Sequence, residues 1–180
     1  MIIFIEEELV KYFMMQYWHY NHLELEGLEN TDSYFEIDND GGYCRSITNA
    51  AGILYSSAMD IEHSSFFLPE ARFEEADARY MSKIDQMSFD AIWQKKQASF
   101  KKEWEESKRQ WKVGTVIKAR IVCFYPQGVI LFIDSLFYVL VPSYDALKTK
   151  IGLANMYPQQ EVYVEVIGFD ETNNWLLGQP

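Results

Sequence analysis

The chain has 180 residues, 48% of them hydrophobic, which is enough for a packed core and excludes a disordered chain. Its formal charge of -11 opposes any general attraction to nucleic-acid backbones or anionic membranes, since such binding gains from cations that displace counterions. The charge is uneven: residues 1–93 hold five basic groups against eighteen acidic ones (net -13), residues 94–111 carry net +3 and residues 112–180 net -1.

The two cysteines, Cys44 and Cys123, stand far apart and lack the paired spacing of structural zinc or a redox dithiol, so both are read as buried thiols. The opening MIIFI is too short to span a membrane. The EEE after it is the wrong flank for a secretory signal. The expectation is an intracellular, cytoplasmic protein with no membrane partner, and Met14 and Met15 are alternative candidate starts.

In chain order, EEELVKYF at 6–13 suits a short helix, and MMQYWHYNHLELEG at 14–27 is rich in strand-favouring aromatics. SYFEIDNDGGYCRSIT, 33–48, places two strand-like runs around NDGG, where Gly41 and Gly42 can take the positive φ of a hairpin turn. GILYSSA at 52–58 reads as a third strand. Together these predict a small antiparallel sheet. Residues 88–111 then run without Gly or Pro, with Phe89, Trp93, Phe100, Trp104 and Trp111 on one helical face. That stripe is read as core packing rather than a base-stacking platform, and the opposite Lys and Glu residues as a solvated face.

From residue 114 the period changes from helical to alternating. Ile117, Ala119, Ile121 and Cys123 are expected on one side of a strand, with Lys118, Arg120 and Val122 opposite. Further strands are expected at Val129–Ile133, Phe137–Val141 and Glu161–Ile167, and a last one at Trp175–Leu177 returning to pair near the first. Five short strands with a long connection before the fourth suit a barrel of the OB type. The fold class is thus an α+β N-terminal region, a small antiparallel sheet plus a long helix, followed by an all-β five-stranded OB-type barrel. The expected divisions are 1–87, an amphipathic helix at 88–111, and 112–180.

Residues 112–178 resemble the S1 RNA-binding domain family. The resemblance lies in Gly114, Val116, Ile117, Ala119 and Ile121, then Gly128 at the turn into the second strand, Ser143 closing LVPS, and Val162, Val164, Val166 and Asp170 along the fourth strand. It implies single-stranded RNA as ligand. Family members that bind RNA typically carry aromatics and a histidine where this chain has Gln127, Ile130 and Val141, and a glycine where it has Gln159. Nearby groups that could compensate are Lys118, Arg120, Phe124, Tyr125, Phe132 and Tyr138.

No catalytic constellation stands out, and the chain is read as no enzyme, with no cofactor and no metal. His19 and His22 are three apart, which in a strand puts them on opposite faces, and His63 is read as a surface or capping histidine. The DNDGG run lacks the ligand series of a calcium loop. The alternative reading is protein recognition: the acidic N-terminal part is similar, in charge and loosely in its hairpin, to small bacterial immunity or antitoxin proteins that mask basic nucleases. Its candidate contacts are Glu36, Asp38, Asp40, Glu74, Glu75 and Asp77.

Overall fold

The structure is a computed structural model that describes residues 15–22, 30–58, 68–133 and 137–180. The short helix expected at 6–13 and His63 lie outside the described residues. The chain forms two compact units: Met1–Ser57 with Ser65–Lys96, and Ala58–Ser64 with Gln97–Pro180.

In the first unit five strands, β1 (Gln16–Asn21), β2 (Thr31–Ile37), β3 (Tyr43–Ala50), β4 (Ile53–Ser56) and β5 (Ser82–Ile84), lie in the order β4-β3-β2-β1-β5. All neighbours pair antiparallel, as the hairpin pattern predicts. The Asp38 carboxylate fixes the β2–β3 turn by accepting from the Asp40 and Gly42 amides at 2.8 and 2.7 Å. Gly41 needs its missing side chain there. Its φ is +80°, and a Cβ would lie 2.7 Å from the Phe73 carbonyl oxygen.

Helix α1 (Gln86–Ala98) begins at Asp85, whose carboxylate accepts from the Ser88 amide at 2.8 Å. It buries Phe89 and Trp93 in the sheet unit. There Arg45 lies on Glu36 through two hydrogen bonds of 2.6 and 2.7 Å, bonds Asp90 at 3.0 Å, and stacks over the Phe89 and Trp93 rings at 4.9 and 5.2 Å. Tyr17 closes the cluster by donating to Glu36 at 3.1 Å. Burial, reinforced by Glu36, pushes the Tyr17 hydroxyl up to about 12.

The single long helix expected over 88–111 is instead two. Helix α2 (Lys101–Gln110) starts afresh after Phe100, whose φ of -109° and ψ of 15° leave the helical region. The aromatic stripe does pack in cores, but in two of them: Phe89 and Trp93 serve the sheet unit, and Trp104 serves the barrel unit. One uninterrupted pattern therefore concealed a change of partner.

The second unit is a closed barrel of β6 (Val116–Tyr125), β7 (Gly128–Ile133), β8 (Phe137–Val141), β9 (Glu161–Asp170) and β10 (Trp175–Gln179), in the order β10-β8-β7-β6-β9. This fits the OB type, with one correction to the expected pairing. Strand β10 runs parallel to β8 and antiparallel to β9, and does not pair with β6. The interior is filled by alternating residues such as Ile117, Ala119, Ile121, Leu131, Val139 and Val164.

Cys123 is the second correction. The register shifts between Ile121 and Cys123, setting Cys123 opposite Ile130 rather than in line with Ile121. At Gly128 a Cβ would lie 2.3 Å from the Val141 carbonyl oxygen, so the turn into β7 requires a glycine. Two helices close the ends. Trp104 of α2 packs on Phe137 and Phe169 with ring centroids near 6 Å and donates to Glu171 at 2.7 Å. Helix α3 (Tyr144–Ile151), capped by Ser143 accepting from the Ala146 amide at 3.1 Å, inserts Leu147 at the other end.

Candidate nucleic-acid interface

Strand pairing sets one row of outward side chains across the barrel wall: Arg120 on β6 opposite Phe132 on β7, and Phe132 opposite Tyr138 on β8. The Arg120 guanidinium sits 6.0 Å from the Phe132 ring centre, and both side chains are half-buried. Phe132 in turn tilts against Tyr138 at 5.3 Å. Tyr138 is only 4% exposed and Tyr125 only 8%, its ring 6.3 Å from Trp175. Neither offers a face to a base. Lys118 is exposed on the same strand two residues before Arg120 and pairs with Glu161 at 2.8 Å. Phe124 is 43% exposed at the barrel rim.

The three positions where the family implies RNA-contacting side chains are placed differently from one another. Ile130 is fully buried, Val141 belongs to the interior cluster, and Gln127 is half-buried in the β6–β7 turn. Gln159, where the family has glycine, holds φ +74°. Its amide donates to the Ile121 carbonyl at 2.7 Å, which ties the start of β9 to the bulge in β6. Asp170 keeps a fold role by accepting from the Thr172 and Asn173 amides at 2.9 and 3.2 Å in the β9–β10 turn.

The acidic candidates divide. Glu36 is 7% exposed and bound to Arg45 and Tyr17, and Asp38 is committed to its turn. Asp77 accepts from the Glu74 amide at 2.7 Å. Asp40, Glu74 and Glu75 are exposed. The Phe73 amide donates to the Gly41 carbonyl at 2.9 Å and Arg72 donates to the Asp40 carbonyl at 3.0 Å, so segment 72–75 lies beside the hairpin turn.

His19 donates to the Asp32 carboxylate at 2.8 Å and stacks on Tyr34, whereas His22 contacts Ser33 at 2.9 Å. Burial raises the Cys44 thiol to about 11, with Asp38 adding to it, and raises Cys123 to about 12, so both stay protonated and poorly nucleophilic at neutral pH. Among the described residues, no three His, Cys, Asp or Glu side chains gather as metal ligands, and no helix is long and apolar enough to cross a membrane.

Sequence reasoning missed helix α3, which carries Tyr144 and Lys148, because the connection between β8 and β9 was read without a helix. The signal was there: Ser143 followed by YDALKTKI is an N-cap before a helix-forming run. No protein-family model matches this chain, and neither does any curated protein.

Proposed function

We propose that the chain is a non-catalytic cytoplasmic binding protein whose S1-like OB barrel takes up single-stranded RNA. The supporting observation is the Arg120–Phe132 pair on the outer wall of β6 and β7, a guanidinium over an aromatic ring, with Phe132 on the second barrel strand, one of the two whose face binds ligands in OB barrels. Such a pair supplies a cation for a phosphate and a π face for a base. Lys118 extends the basic strip along β6. With Tyr125 and Tyr138 buried, the wall has few rings to stack, and the net charge of -11 keeps affinity low, while the Lys118 and Arg120 contacts with phosphate make it weaken with salt. Fluorescence anisotropy of the full chain with short single-stranded RNA tests this. The expected result is binding at low salt that weakens as salt rises and is lost in Lys118→Glu plus Arg120→Glu. Equal binding by that double variant counts against the wall as the site.

The gathering of Asp40, Glu74 and Glu75 beside one turn favours a second reading, recognition of a basic protein by an acidic face of the sheet unit. Neutralising the three together would slow association with such a partner. A salt-dependent on-rate that stays unchanged would remove this reading.

A further inference from the structure

At the barrel end closed by α3, two rings stand in the open. Phe124 is 43% exposed and Tyr144 38%, and they meet edge to face with centroids 5.9 Å apart. One turn along α3, the Lys148 ammonium lies 5.4 Å from the Tyr144 ring centre while bonding Asp145 at 2.7 Å. Exposed apolar residues are ordinary when scattered. Here two are in contact, each is held by a rigid element, and a cation covers one of them. Ser143 and Asp145, the neighbours of Tyr144, also line an open cleft of about 850 Å³ that continues past Thr149 and Lys150.

We propose that the Phe124–Tyr144 step is a base-stacking site for single-stranded RNA, with Lys148 facing the phosphate of the stacked nucleotide and the adjoining cleft taking the next one. This rests on the nucleic-acid reading above and adds to it a site separate from the Arg120–Phe132 wall. Two rings in contact argue for a base rather than a protein. A stable protein interface buries about 800 Å² on each partner, whereas a nucleobase needs a single ring face. Phe124 stands near the end of β6, and Tyr144 opens α3 after β8.

The test uses the full chain and an oligouridine carrying a single 4-thiouridine, in two measurements at low salt: anisotropy titration, and photocross-linking with mapping of the linked peptide. Phe124→Ala plus Tyr144→Ala is expected to weaken binding on the order of ten- to a hundredfold, with Tyr144→Phe near wild type. Cross-links are expected at Phe124 or Tyr144. Unchanged melting of the double variant shows that the loss is not unfolding; if the double variant melts early, Phe124→Trp, which keeps a stacking face, must retain binding while Phe124→Leu loses it. Wild-type binding with the rim variants unaffected and cross-links at Arg120 or Phe132 instead of the two rim rings would overturn the rim site and leave the RNA reading standing. Absence of binding by the wild-type chain at low salt would overturn both.

Discussion

Gln159 shows how a single residue records the barrel's geometry. An L side chain in the left-handed region costs roughly 1–2 kcal/mol, and the site is exposed, so nothing in the packing repays it. After the greater chain entropy of glycine is set against that strain, Gln159→Gly should stabilise the barrel by about 0.5–1 kcal/mol, a rise of about 1–4 °C by calorimetry. A fall in melting temperature would mean that the Gln159 side chain contributes something its exposure hides. Tyr17 gives a pH signature. Its hydroxyl rises from an ordinary value of 10.0 to about 12 in the folded chain, so its contribution is complete below pH 10 and is lost as pH climbs through 12. Urea unfolding of Tyr17→Phe across that range should lack this alkaline loss. An identical pH profile in the variant would place the sensitivity elsewhere.

At the scale of elements, the end caps carry much of the barrel's stability. Trp104 is 3% exposed, packs on two aromatic rings and satisfies its indole N–H on Glu171, so Trp104→Ala should cost about 3–5 kcal/mol in denaturant unfolding of the barrel. A loss below about 1 kcal/mol would mean that α2 is dispensable to the core. Lys108, bonded to Glu171 at 2.9 Å, holds that carboxyl below its ordinary range, so this contribution is present at neutral pH and fades as acid protonates Glu171. Much of the strand layout was legible because turn residues punctuate it: NDGG between β2 and β3, PQG between β6 and β7. What was hidden depends on partners rather than pattern. A bulge reversed Cys123, a break at Phe100 divided one aromatic stripe between two cores, and the Glu36–Arg45 pair emerges only when the β2–β3 register is fixed. Burial of Tyr125, Ile130 and Tyr138 likewise follows from packing against residues distant in sequence, which alternation cannot encode.

Across the whole molecule, charge and fold pull in different directions. The sheet unit carries most of the acid, while the barrel unit is close to neutral and holds Lys118, Arg120 and Lys148 on exposed or half-buried positions. If the barrel takes up RNA as proposed, the few cations Lys118, Arg120 and Lys148 would neutralise few phosphates, so its affinity should fall modestly as salt rises and its contacts should stay local. Chemical-shift mapping of the uniformly ¹⁵N-labelled chain during titration with short oligouridine at low salt tests this most directly. The account predicts shifts confined to amides around Arg120, Phe132, Phe124, Tyr144 and Lys148, with β1–β5 unmoved. A spectrum that does not change, or changes only in the sheet unit, would contradict it.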